Sequence, residues 1–132
     1  MRELNRQRIV GLARSLVRQP SVLGNEEGVA RLVRGELEAR GFEVEADRVG
    51  NVIGVVRGSS GPVFLFDAHM DTVDVSDESE WRYPPFEGRV EGDRLYGRGS
   101  SDMKGALAAM IEGLGSLTEV PVKGTLLLCA SV

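Results

Sequence analysis

The chain has 132 residues, of which 42% are apolar and 27% are charged, and its formal net charge is −4. This balance predicts one soluble globular unit rather than a disordered chain. The mild acidity offers no basic surface for nucleic acid, and no apolar run approaches the ~18 residues that cross a membrane. The single cysteine, Cys129, excludes an intrachain disulfide, and the first residues lack an apolar signal segment. We therefore expect a cytoplasmic protein that binds neither nucleic acid nor membranes.

Three amphipathic helices are predicted from apolar residues that recur at helical spacing. The first spans residues 3–18. The second is expected to open at Asn25, whose side chain would cap it, and to end before Gly41. The third carries the clearest apolar stripe of the sequence, over residues 103–117.

Short apolar or alternating runs predict strands between these helices. Four such segments are residues 42–45, 51–56, 63–66 and 124–130. The run Val63–Phe66 is continuously apolar, which predicts a strand buried in the middle of a sheet, after a turn over residues 58–62. Residues 88–96 predict a hairpin that turns at Gly92-Asp93. Helices alternating with buried strands favour a single α/β layer structure around a mixed sheet.

The loop after the third predicted strand holds the only histidine of the chain, His69, followed by Asp71. In an extended chain, residues two apart share a face, so these two side chains should point the same way. A carboxylate beside an imidazole fixes its tautomer and raises its basicity, as a metal ligand requires. The alternative is that His69 has only a structural role, with its hydrogen bonds satisfied at the end of the strand, and that Asp71 begins a turn.

A second loop, rich in glycine, places Asp102 at the start of the third helix. The amide groups of a helix amino terminus favour an ionised carboxylate, which would be available to a cation. The alternative is that Asp102 simply caps the helix. Nucleotide binding is not predicted, because Asp102 replaces a glycine of the dinucleotide fingerprint and Lys104 lacks the following Ser or Thr of a phosphate-binding loop.

Three segments follow one another along the chain: Asp67–Val73, Trp81 with Pro84-Pro85-Phe86, and Leu95–Gly105. Together and in this order they resemble the M20 family of zinc peptidases and deacylases. They are most similar to the branch of acetylornithine deacetylase and succinyl-diaminopimelate desuccinylase. The resemblance implies a three-layer α/β/α catalytic domain of the zinc-peptidase (phosphorylase/hydrolase-like) type with a mixed sheet, of which residues 1–132 would be the truncated amino-terminal part. It also implies hydrolysis of amide bonds in N-acyl amino acids or short peptides.

The resemblance further assigns roles to three residues. His69 would be a ligand to one zinc ion, Asp102 would bridge two zinc ions, and Asp71 would orient His69. A cis peptide bond would follow Asp102, at Asp102–Met103. Imidazole and carboxylate ligands suit zinc, but also cobalt or manganese.

The chain departs from the family pattern in what it lacks. The family has two adjacent glutamates, a general base and a zinc ligand, then a further acidic ligand, a histidine ligand and a dimerisation domain, none of which occurs in these 132 residues. Catalytic zinc normally takes three protein ligands, and His69 with Asp102 supplies fewer. We therefore expect this chain alone to be inactive.

Two other interpretations remain open at this stage. One is a non-catalytic scaffold or assembly module whose partner supplies the missing glutamates and histidine, and the other is a decayed gene product without a role. Strands missing from the sheet would leave unpaired edges, which invite pairing with another chain. We therefore also expect a homo-oligomer formed through exposed sheet edges.

Overall fold

The computed structural model describes residues 4–132, so the predicted helix start at Glu3 lies outside the described residues. The helices are α1 (Arg6–Val17), α2 (Glu27–Ala39) and α3 (Gly105–Gly115), with a short 3₁₀ turn at Glu78–Glu80. The strands are β1 (Glu43–Ala46), β2 (Val52–Arg57), β3 (Ser59–His69), β4 (Arg89–Glu91), β5 (Arg94–Tyr96) and β6 (Lys123–Ser131). No helix within residues 4–132 combines the length and apolar character needed to cross a membrane.

Four strands form one mixed sheet in the order β1-β2-β6-β3. The central strand β6 is antiparallel to β2 and parallel to β3. The strands β4 and β5 form a separate antiparallel hairpin, as the Gly92-Asp93 turn predicts. The α/β class and the mixed sheet are therefore confirmed.

One face of the sheet carries the core. Along β6, buried residues alternate with half-buried ones, and the buried set includes Leu126 and Leu128. Leu126 pairs with Val56 of β2, and Leu128 pairs with Phe66 of β3. Paired residues of neighbouring strands lie on the same face of the sheet. All three helices pack their apolar stripes into the same core cluster as Leu126 and Leu128. Within residues 4–132 the layers are therefore the sheet and the helices over this face.

The prediction that Val63–Phe66 lies in the middle of a sheet is wrong. The strand β3 is at the edge, and these four residues are 63%, 51%, 63% and 37% exposed. A continuous apolar run indicates a strand that needs cover on both faces and from both neighbours. Within residues 4–132 only β6 pairs with β3, so that cover is incomplete.

The predicted turn over residues 58–62 is also wrong, because β3 already begins at Ser59. The pairing of β3 with β6 shifts register between Ser59 and Val63, so the glycine-rich residues form an irregularity inside the strand. Gly124 of β6 has φ +91° and its backbone lies directly against Pro62, where a side chain would not fit. A local turn signal cannot reveal this pairing, since it depends on a strand that is distant in the sequence.

The predicted cap of α2 by Asn25 is not formed. The helix begins at Glu27, and no side chain bonds its first amide groups. The carboxylate of Glu26 instead accepts a hydrogen bond from the Gly24 amide at 2.7 Å. In α1, by contrast, Asn5 caps the helix by accepting from the amides of Gln7 and Arg8.

A half-buried ion cluster joins α2 to α3. Arg40 donates from Nη2 to Glu112 Oε2 at 2.9 Å, and its Nη1 bonds the Glu36 carboxylate. Burial lowers the pKa of Arg40, but the hydrogen bonds and charges of Glu36 and Glu112 outweigh it, so the pKa is raised above its ordinary value. The cluster fixes α3, the helix that follows the Asp102 loop, against the rest of the core.

The topology predicts that two leucines of the same sheet differ sharply in their contribution to stability. Leu128→Ala should lower the free energy of unfolding by about 3 kcal/mol, because it leaves a cavity in the core. The matched change Leu65→Ala on the β3 edge should cost about 0.5 kcal/mol or less, because that side chain is largely in water. Urea denaturation of the two variants measures both values. Equal losses would contradict the edge position of β3.

Candidate metal centre

The candidate site lies beyond the carboxyl ends of the parallel strands β3 and β6. The strand β3 ends at His69, which pairs with Ser131 at the end of β6. The next amide, that of Met70, donates to the Ser131 carbonyl at 2.7 Å. In open α/β sheets, ligands bind in the crevice outside the carboxyl ends of the strands. The loop that contains Asp71 begins at this edge.

The structure brings the three predicted site residues together around one imidazole. His69 Nδ1 lies 3.0 Å from Asp71 Oδ1, and His69 Nε2 lies 2.8 Å from Asp102 Oδ1. The Asp71 carbonyl is also within 3.1 Å of Nδ1. The carboxylate of Asp102 is 86% exposed, whereas the side chains of His69 and Asp71 are half-buried. Each ring nitrogen therefore faces a carboxylate from a different part of the chain.

This arrangement favours a positive charge on the ring. The hydrogen bond with Asp102 raises the pKa of His69, burial opposes it, and the nearby Asp71 adds to the rise. A neutral imidazole can donate from only one nitrogen. If Nδ1–H donates to Asp71, the lone pair of Nε2 faces the Asp102 carboxylate. A proton or a metal cation must then lie at Nε2 to make the contact favourable.

The chemistry of these donors fits a divalent metal. Imidazole nitrogen and carboxylate oxygen are zinc ligands, and a carboxylate on the opposite ring nitrogen is the usual support of a metal-bound histidine. However, no group of three or more His, Cys, Asp or Glu side chains within the described part of the chain is arranged to hold a metal ion. The reason is visible at the ring, because Asp71 faces Nδ1 and only Asp102 joins Nε2.

The Asp102 loop is a distorted turn rather than the start of a regular helix. Residues Ser100–Lys104 form one wide turn in which Asp102 has φ −131° and ψ 95°. The peptide bond Asp102–Met103 is cis, as the family resemblance implies. The helix α3 begins only at Gly105, with no side chain capping it, so the interpretation of Asp102 as a simple helix cap is wrong.

Gly99 allows the two loops to touch. Its φ of +77° belongs to the left-handed region that favours glycine. A Cβ at this position would lie only 2.7 Å from Thr72 Cγ2 of the first loop. The two loops together line a cleft of about 360 Å³, formed by His69 and residues 71–73 and 97–102.

Arg98 secures the second loop from the side. Its guanidinium lies 4.8 Å from the centre of the Trp81 ring and donates to the Asp74 carbonyl at 2.9 Å. Its backbone amide donates to the Pro85 carbonyl at 2.7 Å. Trp81 and Pro85, whose only sequence signal is the family resemblance, therefore support the loop that presents Asp102.

Sequence reasoning missed Lys104 as part of this site. Its side chain is completely buried, its Nζ donates to the Gln19 carbonyl at 2.6 Å, and burial lowers its pKa to about 8. The sequence analysis compared Lys104 only with the lysine of a phosphate-binding loop, a role that is not predicted because no Ser or Thr follows it. The available signal was spacing, since Lys104 stands three and seven positions before the buried Leu107 and Ile111.

Comparison with known protein families assigns the chain to one of them. The sequence profile of Peptidase family M20/M25/M40 matches residues 65–132, just over half of the chain. This match covers His69, Asp71 and Asp102. The chain belongs to the M20/M25/M40 peptidase family.

Solved structures show the same fold. A metallo-carboxypeptidase of the M20 family from Sulfolobus solfataricus is 23% identical, with a TM-score of 0.83 over 93% of this chain and 30% of its own. Human carnosine dipeptidase 1 is 18% identical, with a TM-score of 0.80 over 95% and 32%. A dinuclear metal-binding peptidase from the M20 family of Bacillus subtilis is 21% identical, with a TM-score of 0.73 over 94% and 34%. The chain spans about a third of the length of these proteins.

The contact between His69 and Asp102 predicts a measurable titration. His69 should titrate above the ordinary histidine value, and Asp102→Asn should lower its pKa because the main stabilising partner of the imidazolium is lost. NMR observation of the ring protons measures this directly, since the chain has one histidine. The contribution of the contact to stability should be fully present below the unfolded-state pKa and be lost as pH rises through the folded-state pKa.

Asp93→Asn provides the matched control, because Asp93 lies in the hairpin turn and pairs with Arg6. This variant should leave the His69 titration unchanged. An equal shift in both variants, or none in Asp102→Asn, would contradict the site geometry.

Proposed function

We propose that this chain is the amino-terminal part of the catalytic domain of a metal-dependent hydrolase acting on amide bonds in N-acyl amino acids or short peptides. The observation that carries the proposal is the 2.8 Å contact between His69 Nε2 and Asp102 Oδ1, made by residues 33 positions apart. Family membership supports the reaction class. Resemblance in the segments around Trp81 and Asp102 supports the finer type, acetylornithine deacetylase or succinyl-diaminopimelate desuccinylase.

In this proposal His69 and Asp102 hold the metal and Asp71 positions the ring. Zinc fits the donor set, and cobalt or manganese would also suit it. A bound divalent ion supplies a polarising charge for a carbonyl oxygen and an activated water. With the proton on Nδ1, Asp71 accepts a hydrogen bond from Nδ1–H, which keeps Nε2 directed at the cation position. Asp102 has two carboxylate oxygens and only Oδ1 meets His69, so Oδ2 would serve a second ion.

The donors present support metal binding without turnover. One imidazole and one exposed carboxylate fall short of the three protein ligands of a catalytic zinc site. Asp71 is engaged with His69 and is thereby a poor candidate for a general base. We therefore propose that the 132-residue chain binds zinc weakly and does not hydrolyse substrate unless further ligands are supplied.

Zinc titration tests the proposed ligands. Zinc should shift the single imidazole signal in NMR spectra, and calorimetry should give a measurable affinity. His69→Asn should abolish the specific heat of binding, and Asp102→Asn should weaken the affinity about tenfold or more, while Asp93→Asn leaves it unchanged. Zinc affinity that is the same in all variants would contradict the proposal.

A substrate panel tests the absence of turnover separately. With zinc added, the chain should release no amine from N-acetyl or N-succinyl amino acids or from dipeptides. Zinc-dependent hydrolysis that is lost in His69→Asn would show that these residues suffice for catalysis, and the proposed inactivity of the chain would be wrong.

A second candidate function is a non-catalytic scaffold or assembly module that pairs with a partner chain carrying further metal ligands. The exposed edge of β3 favours it. Residues 63–66, which follow the irregularity at Ser59–Val63, contain no charged side chain, and their outer backbone groups meet no strand within residues 4–132. Native edge strands usually carry charges or bulges that prevent such pairing. In the isolated chain, a second copy could pair antiparallel with this edge without placing like charges opposite each other.

Sedimentation of the isolated chain tests whether this edge associates. Dimers should form at high concentration, and Val63→Lys should abolish them by placing a charge in the pairing edge. Val49→Lys is the matched control, because Val49 is 73% exposed and lies outside the strands. A chain that is monomeric at all concentrations, or one that both variants affect equally, would refute association through β3.

A further inference from the structure

A short segment after α1, residues 19–22, contacts both loops of the candidate metal centre. It is fully separate in sequence from either loop, yet it bonds one through Ser21 and the other through Gln19. We propose that this segment is a brace for the site and that Ser21 and Lys104 are positioning residues. The inference rests on the proposed metal-binding function and adds the residues that hold its ligands in place.

Ser21 forms hydrogen bonds with the first loop on both sides of Asp71. The completely buried Ser21 hydroxyl donates to the Met70 carbonyl at 2.8 Å. The Ser21 carbonyl accepts the Thr72 amide at 2.7 Å. Val22 and Thr72 also form a parallel β-bridge. Because the residues before and after Asp71 are both tied to Ser21, the backbone that aims Asp71 at His69 has little freedom.

Lys104 ties the second loop to the same segment. Its ammonium donates to the Gln19 carbonyl at 2.6 Å, and its own amide donates to the Gly99 carbonyl at 2.9 Å. The Lys104 stem runs beside Gly99, where a Cβ would lie 3.3 Å from Cδ. A buried ammonium is costly unless it is hydrogen-bonded, so the bond to Gln19 fixes the side chain. Asp102 lies two residues earlier in the same turn. Fixing Lys104 therefore also restricts where Asp102 can lie.

The brace explains how His69 and Asp102 meet although, among residues 4–132, no strand pairing joins their two loops. Segment 19–22 contacts the loop of Asp71 and the turn of Asp102 at once, and Thr72 packs against Gly99 between them. Loss of either anchor should therefore loosen both loops. Neither Ser21 nor Lys104 is placed to touch a metal or substrate, since both side chains are completely buried.

Two variants and two matched controls test this inference. Ser21→Ala and Lys104→Met remove the anchoring groups, whereas Ser116→Ala removes a buried hydroxyl bonded to the Gly113 carbonyl and Lys123→Met removes an exposed ammonium. Amide hydrogen exchange of Thr72 is measured relative to Leu128 in the central strand, so that global destabilisation cancels. Zinc affinity is measured on the same samples under conditions where they are folded.

The brace predicts about tenfold faster relative exchange at Thr72 and about tenfold weaker zinc binding in Ser21→Ala and Lys104→Met, with neither change in the controls. Unchanged exchange, or faster exchange with unchanged zinc affinity, would overturn it. If the unmodified chain binds no zinc, the proposed function fails while the exchange data still decide the brace. If a variant does not fold, exchange in the unmodified chain decides, because a brace requires Thr72 and Lys104 amides to exchange as slowly as Leu128.

Discussion

The chemistry of the site depends on how many hydrogen bonds the imidazole of His69 can donate. A neutral ring has one N–H to donate, and His69 has a carboxylate at each nitrogen. The ring must therefore either carry a second proton or share a cation with Asp102. The carboxylate and the backbone carbonyl of Asp71 both contact Nδ1, so Nε2 is the nitrogen that remains for that cation. Proton binding and metal binding are thus alternatives at the same nitrogen, Nε2.

The fold serves this contact by bringing together two loops from separate parts of the chain. Parallel pairing of β3 with β6 places His69 at the rim of the sheet, and the distorted turn before α3 presents Asp102 to it. The core beneath is built by helices over one face of the sheet. Hydrogen bonds from the Ser21 hydroxyl to the Met70 carbonyl and from Lys104 Nζ to the Gln19 carbonyl then link the two loops to the segment after α1. The site thus rests on the packed core, while the carboxylate of Asp102 is exposed to solvent.

The sequence allowed the helices and the hairpin to be predicted, because these depend on local spacing and recognisable turn residues. It also singled out His69, Asp71 and Asp102, which the structure brings together, while their role as a metal site stays a prediction. It misled at Val63–Phe66, where the apolar run correctly indicated a strand but could not indicate its place in the sheet. The order of strands depends on pairings between distant segments, such as that of β3 with β6. The role of Lys104 was missed for a similar reason, since its partner is a backbone carbonyl 85 positions away. The pattern of side chains in a sequence carries no direct record of backbone partners.

The central claim is that His69 and Asp102 are in contact in the folded chain. Nuclear Overhauser spectroscopy on the isotope-labelled protein tests it most directly, because the single imidazole gives unambiguous ring-proton signals. We expect cross-peaks from the His69 ring protons to the β protons of both Asp71 and Asp102. Cross-peaks to Asp71 alone, in a protein with an otherwise intact fold, would show that the two loops do not converge and would contradict the proposed site.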